Sequence, residues 1–342
     1  MIFDSISRLF SSDLGVDLGT AHTSVYAKGK GIVANEPSVV VMKDEPKEIR
    51  QVVAIGGQAK DMMGRTPVKI KAIRPVRDGV IADFQAAQKM LEYFIKKAYN
   101  NRRGFLKPRV LLSMPIEISE IEKKALIESA RVAGASEVHL LEDVIGAAIG
   151  AGLPVEEPIG NMVVDIGAGK TEIAVISLGG IVVGTSLSTG GDSMNQALVH
   201  FVKNKHNRLI GEGTAESIKI NLGQTLNNGN NGHIKVNLSD LSGGVPSTIE
   251  ISSEEVKEAL APSMISIIAG IKQTFEITPP ELVGDIADNG ITLTGGGSLL
   301  SGLDQLIQDE TGLSVRVADQ PSLSVVLGLG KALDKIDHLR AH

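Results

Sequence analysis

Short apolar runs closed by glycine-bearing turns alternate along this chain with stretches whose apolar residues recur every three or four positions, the pattern of an α/β protein. Leu14–Leu18 and residues 24–27, joined by Gly19-Thr20, read as a β-hairpin, and further β-rich pieces lie at 38–42 and Gln51–Ile55. Between residues 84 and 100, Ala87, Leu91, Phe94, Ile95 and Ala98 fall at helical spacing, which predicts an amphipathic helix. Arg109–Met114 reads as a buried strand closed by Pro115. The next helix carries its own start and stop signals: Ser119 with Glu122 forms a capping box, and Gly134 ends it. A strand at 137–141 then leads into a helix of small residues, 146–152.

The pattern restarts in the second half. Residues 161–165 form a strand, Gly167-Ala168-Gly169 a turn, and 172–177 a returning strand. Val16-Asp17-Leu18-Gly19-Thr20 thus recurs as Val164-Asp165-Ile166-Gly167-Ala168, 148 residues later. Two α/β halves that each open on a strand–Asp–x–Gly hairpin imply a duplicated fold with a cleft between the halves. The expected division is a lead segment at 1–12, a first half at 13–150 and a second at 151–342. Asn227-Asn228-Gly229-Asn230-Asn231-Gly232 reads as a flexible loop inside the second half, and no long linker parts the two.

Composition narrows the class. The 342 residues carry 34 Lys and Arg against 40 Asp and Glu, a net charge of −6, with no Cys. Without Cys there is no disulfide scaffold, thiol catalysis or thiolate metal site. The acidic balance argues against a nucleic-acid partner. No apolar stretch reaches the ~20 residues that a membrane-spanning helix needs. The first ten residues stand apart, because Ile2, Phe3, Ile6, Leu9 and Phe10 share one helical face. They lack the basic start and small-residue cleavage site of a secretory signal. Two readings stay open for this stripe: a short helix docked on its own domain, or an amphipathic anchor in a membrane surface.

The candidate chemistry lies in the glycine turns. Glycine after a strand lets backbone N–H groups approach phosphate oxygens, and an Asp at the strand end can hold hydrated Mg²⁺. Asp17 with Gly19-Thr20 and Asp165 with Gly167-Ala168-Gly169 offer this arrangement twice, enough to clamp a nucleoside triphosphate. A third cluster, Gly295, Gly296, Gly297 and Ser298, ends a buried strand before a helix expected at Leu299. Its bare backbone suits a flat base or a ribose. Glu216 and Lys219, at i and i+3 of one helix, could bracket the nucleoside. Gly169-Lys170-Thr171 is not a P-loop, since Val164 stands where that motif needs its first Gly. The Rossmann spacing also fails, the seven His show no metal-ligand spacing, and there is no Gly-x-Ser-x-Gly elbow.

Asp17-Leu18-Gly19-Thr20-Ala21, residues 74–84 (RPVRDGVIADF), Val163-Val164-Asp165-Ile166-Gly167 and Leu293-Thr294-Gly295-Gly296-Gly297 resemble the actin-like ATPase superfamily and, within it, the bacterial actins of the MreB family. The resemblance runs in order from about residue 13 to 333. It implies a duplicated actin-like (ribonuclease H-like) α/β fold whose halves each join a larger and a smaller subdomain, the smaller ones near 33–74 and 192–258, around a nucleotide cleft. By the same resemblance Gly19, Thr20 and Ala21 form the first phosphate loop and Gly167, Ala168 and Gly169 the second. Glu216 and Lys219 line the nucleoside pocket, Gly295 to Ser298 lie under the base, and Asp17 and Asp165 hold Mg²⁺ through water. The implied function is ATP and ADP binding coupled to polymerisation into paired protofilaments, for cell shape or motility.

Departures fall where hydrolysis occurs. Asp143 follows Glu142 where the family has a second Glu to orient the attacking water. Lys170 replaces a Thr of the second phosphate loop, and His22 a usual Asn. A weak ATPase is therefore expected. The resemblance further implies a cytoplasmic protein peripheral to the inner face of the cell membrane. Its expected partners are other copies of itself, the membrane, other bacterial actins and membrane proteins. Phe105 and Leu106, set among Arg102, Arg103 and Lys107, join Phe3 and Phe10 as candidate membrane contacts. The competing readings are a metabolic kinase on the same fold, which would need an added carboxylate base, and a chaperone-type ATPase, which would need a substrate-binding domain.

Overall fold

The structure is a computed structural model that describes residues 13–44, 50–98, 107–226, 232–239 and 246–338. The chain divides into two units, 1–155 with 323–342, and 156–322. In chain order the first unit holds β1 (Leu14–Leu18), β2 (His22–Ala27), β3 (Gly31–Pro37), β4 (Val40–Lys43), β5 (Gln51–Ile55), α1 (Gly57–Met62), β6 (Ile70–Ile73), β7 (Val76–Arg77), β8 (Val80–Ile81), α2 (Phe84–Ala98), β9 (Arg109–Met114), α3 (Glu120–Ala133), β10 (Glu137–Glu142) and α4 (Asp143–Gly150). Its main sheet has the order β10-β9-β1-β2-β3, antiparallel from β1 to β3 and parallel from β1 to β10. A smaller sheet, β5-β4-β6, packs on α1 through Val39, Val41 and Ala59.

The second unit holds β11 (Asn161–Ile166), β12 (Thr171–Ser177), β13 (Gly180–Leu187), α5 (Gly191–His206), α6 (Glu212–Leu222), β14 (His233–Ser239), β15 (Pro246–Ser252), α7 (Ser253–Glu276), α8 (Pro280–Asn289), β16 (Ile291–Thr294), α9 (Leu303–Thr311) and β17 (Val315–Val317). Its sheet order is β13-β12-β11-β16-β17, with the same alternation of antiparallel and parallel pairs. Strand for strand, β1, β2, β3, β9 and β10 correspond to β11, β12, β13, β16 and β17. The sequence recurrence thus marks a repeated topology, each copy opening on the central strand that carries the Asp.

Helix positions follow from pattern and caps. On α2 the buried Ala86, Met90, Leu91, Phe94, Ile95 and Ala98 pack in one core with Leu14, Val16 and Val25 of the sheet, and Ala87 is buried as well. Ser119 and Glu122 make both bonds of the capping box on α3, and Gly134 closes it at φ 115°. The same device starts α7 at Ser252 and Glu255. The small-residue helix begins at Asp143 instead of Gly146, taking in Val144 and Ile145, whose β-branched side chains carry no helix signal of their own. The helix expected at Leu299 is a 3-10 turn, Gly296–Leu299, and α9 follows only at Leu303, after Gly302 with φ 76°. The loop at 227–231 lies outside the described residues.

One finding was beyond the sequence. Helix α10 (Ser324–Ala332), expected in the second half, belongs to the first unit and packs on α4 and β1. A Cβ on Gly328 would stand 1.8 Å from the Gly146 carbonyl oxygen, and one on Gly150 1.8 Å from that of Ser324. The helices therefore touch backbone to backbone, which only glycine permits. Lys331 Nζ donates to the Ile149 carbonyl at the end of α4 (2.9 Å), and Arg109 holds both Asp13 (2.7 Å) and Asp337 (2.5 Å).

Candidate functional site

In the first unit the parallel strands β1, β9 and β10 end at one sheet edge, where ligands of open α/β sheets bind. Asp17, near the end of β1, accepts a bond from Ser113 Oγ of β9 at 3.4 Å. The turn that follows is held from its flanks. Ser38 Oγ donates to the Gly19 carbonyl (2.6 Å), Ser38 N–H to the Ala21 carbonyl (2.8 Å), and Gly79 N–H to Thr20 Oγ1 (3.1 Å). The amides of Thr20 and Ala21 donate to no acceptor among the described residues. Asp143 opens α4 at the same edge, two strands over, with Oδ1 buried.

The second unit repeats the design with more support. Asp165 sits beside Thr294 in the β11–β16 register and accepts its hydroxyl at 2.8 Å. Withdrawal from water raises the Asp165 carboxyl from 3.8 to about 6, against the opposing bond from Thr294. In the loop, Gly167 N–H donates to the Lys170 carbonyl (2.9 Å), while Gly191 and Asp192 N–H of α5 donate to the carbonyls of Gly167 and Ala168 (3.0 and 2.8 Å). The carbonyls of Gly167, Ala168 and Lys170 are thereby occupied, and the amides of Ala168 and Gly169 donate to nothing among the described residues. Polar N–H groups left open in a turn are what an anion's oxygens require.

Gly295, at φ 76°, turns the chain so closely against β11 that a Cβ there would lie 2.4 Å from the Ile166 carbonyl oxygen. The segment Gly295, Gly296, Gly297 and Ser298 is thus brought beside Asp165 and the 167–169 loop. Lys219 reaches the same neighbourhood by donating to the Gly191 carbonyl at 2.7 Å. Glu216 shares its helix and is half-buried. Sequence reading missed Ser38, Gly79, Ser113, Gly190, Gly191 and Thr294. Only Gly190 and Gly191 at the start of α5 left a local signal; strand pairing brings in Ser113 and Thr294, and Ser38 and Gly79 reach the 19–21 turn from turns of their own. Phe3, Phe10, Phe105 and Leu106 lie outside the described residues. A separate apolar groove of about 400 Å³, lined by Leu260, Met264, Ile268 and Leu306 among others, uses none of the predicted residues.

The family model described as MreB/Mbl protein matches residues 11–341. The chain belongs to the MreB/Mbl family. Among MreB/Mbl relatives it is 48% identical to the cell shape-determining protein MreB of Escherichia coli (strain K12) over 330 residues, covering 96% of this chain and 95% of that one. To the cell shape-determining protein Mbl of Bacillus subtilis (strain 168) it is 46% identical over 331 residues, 97% and 98% of the two chains. The crystal structure of MreB5 of Spiroplasma citri bound to ADP superposes with a TM-score of 0.89 at 34% identity, over 95% of this chain and 97% of that one. A second MreB5 structure, bound to AMPPNP, gives 0.89 at 33%, over 96% and 97%. A MamK double helical filament, 21% identical, matches at 0.80 over 95% and 99% and agrees in fold alone. The fold is actin-like, as the MreB resemblance implied.

Proposed function

We propose that this chain is a cytoskeletal bacterial actin that binds ATP or ADP with Mg²⁺ and assembles into filaments serving cell shape or motility. The observation that carries the reading is the pair of strand–Asp–loop hairpins, each with two backbone amides open to an anion: Thr20 and Ala21 in one unit, Ala168 and Gly169 in the other. Nucleotide in the two MreB5 structures supports the choice of an adenine ligand. Glu216 and Lys219 would flank the nucleoside, with Gly295, Gly296, Gly297 and Ser298 under the base.

The donor set fits the metal. Asp165 is withdrawn from water with a hydroxyl donor and no cationic partner among the described residues, so its charged form gains from a nearby cation. Asp17 offers a second hard oxygen, and carboxylates of this kind suit Mg²⁺ held through water and phosphate, whose charge it would neutralise.

Hydrolysis is proposed to be slow, because Asp143 and Lys170 stand at positions that handle water and the terminal phosphate. The filaments would lie at the inner face of the cell membrane, anchored by the N-terminal stripe and by Phe105 and Leu106. No helix among the described residues is long and apolar enough to cross a membrane. Equilibrium ATP binding, pelleting and electron microscopy test the reading together. Wild type should bind ATP with Mg²⁺ and pellet as filaments, and Asp165→Ala should lose metal-dependent binding while keeping its thermal unfolding. Unchanged ATP binding in that variant would reject the metal assignment. Nucleotide turnover without any pellet would favour the kinase or chaperone reading.

A further inference from the structure

Several cations of the second unit are engaged. Lys205 pairs with Glu255 and Glu258, Lys272 with Glu310, and Lys219 donates to the Gly191 carbonyl. Lys170 differs from these. It is half-buried, and its ammonium makes no ion pair or hydrogen bond among the described residues. Nor does it hold Asp165: burial and the Thr294 hydroxyl set that carboxyl, with no cation contributing.

The backbone of Lys170, by contrast, is fixed. Its carbonyl accepts the Gly167 amide at 2.9 Å and closes the turn. A Cβ on Gly190 would lie 2.8 Å from the Lys170 nitrogen, so the residue before α5 packs directly against it. Thr171, next in the chain, is fully buried and donates to the Thr189 carbonyl at 2.6 Å. A flexible cation on a rigid base therefore stands beside the open amides of Ala168 and Gly169. Lys170 lies five residues past Asp165, and His22 lies five past Asp17 in the first hairpin. Each loop thus carries a basic side chain where the family pattern has a neutral one.

We propose that Lys170 is a built-in counter-ion of the second phosphate loop, so that this chain holds a nucleoside triphosphate in the absence of a divalent cation. The inference rests on the proposed nucleotide reading and adds how the phosphate charge is shared. Open amides present only partial charges to an anion. Mg²⁺ held through water supplies full charge, but only while it is bound. An ammonium next to the amides is always present, and lysine binds phosphate as a mobile point charge. The Thr of the family pattern offers a hydroxyl and no charge. Nucleotide would therefore stay on this chain when free Mg²⁺ falls.

Calorimetric titration of the full chain with ATP, once with Mg²⁺ and once with excess EDTA, tests this. The quantity read is the ratio of the two dissociation constants. In wild type, EDTA should weaken binding by less than about tenfold, the lower end of what one bond to a charged group is worth. Lys170→Gln removes the charge while keeping a polar side chain, and should raise the ratio a further ten- to a hundredfold, roughly the worth of that bond. Lys170→Arg keeps the charge and should stay near wild type. A wild type that binds ATP only with Mg²⁺, or a Lys170→Gln ratio equal to that of wild type, overturns the counter-ion. An equal rise in Lys170→Arg does so too, because charge would not be what matters. Both variants should melt as wild type does, since the side chain has no partner among the described residues to lose. Should Lys170→Gln lose its thermal transition, Lys170→Thr takes its place with the same expected rise. A wild type that binds ATP in neither buffer sinks the nucleotide reading and this inference together; binding with Mg²⁺ at an unmoved ratio sinks the counter-ion alone.

Discussion

Asp143 begins a helix directly after a strand, so its short side chain has little freedom to follow a substrate. A Glu there would reach one methylene further, and displacements near 1 Å can cost about 10²-fold in rate. Asp143→Glu with Lys170→Thr should therefore raise phosphate release roughly ten- to a hundredfold. Unchanged release would show that these residues do not limit turnover. Asp165 makes a pH prediction. Its carboxyl titrates near 6 in the folded chain and near 3.8 when exposed, so between those values the unfolded chain gives up its proton first. Stability should fall as pH rises from about 4 to about 6, then level off. Asp165→Asn should abolish that slope in urea midpoints, whereas an identical slope in the variant would assign it elsewhere. The Asp-x-Gly pairs were legible in the sequence because their chemistry is local. Ser113 and Thr294 were not, since strand pairing alone sets them beside Asp17 and Asp165.

Among the elements, the legible ones carry their own signals. The Ser119–Glu122 box and the periodicity of α2 need no knowledge of the rest of the fold. The run 146–152 announces a helix of small residues but not what approaches it; the partner, α10, lies some 180 positions on. That contact yields a contrast between two glycines. At Gly328 an added methyl would meet the Gly146 backbone, so Gly328→Ala should destabilise by about 1–3 kcal/mol through overpacking. At Gly213 of α6 a Cβ meets nothing within 4 Å, and Gly213→Ala should be neutral or stabilising by up to about 1 kcal/mol. Chemical denaturation of both variants decides it, and equal effects would mean that the α4–α10 crossing is not the tight contact described.

For the molecule as a whole, the duplication was legible because its two Asp hairpins repeat, while the division of the chain was not, because α10 is encoded far from its neighbours. On the proposed reading, membrane attachment would be a property of the assembly, since weak contacts multiplied along a filament bind through avidity. Wild type should float with anionic liposomes, and a variant with Phe3, Phe10, Phe105 and Leu106 made polar should not. Equal flotation would place the attachment elsewhere. The return of α10 to the first unit also bears on how the protein is made. Residues 156–322 form an unbroken stretch that can close as soon as it leaves the ribosome, whereas the first unit, although synthesised earlier, must wait for a helix translated after all of them. Until then Gly146 and Gly150 have nothing to close against, and a released chain truncated before residue 323 would present a complete second unit joined to an open first one. Birth order and folding order are therefore reversed, and interrupted synthesis should send such chains to chaperones and proteases before they can seed polymer.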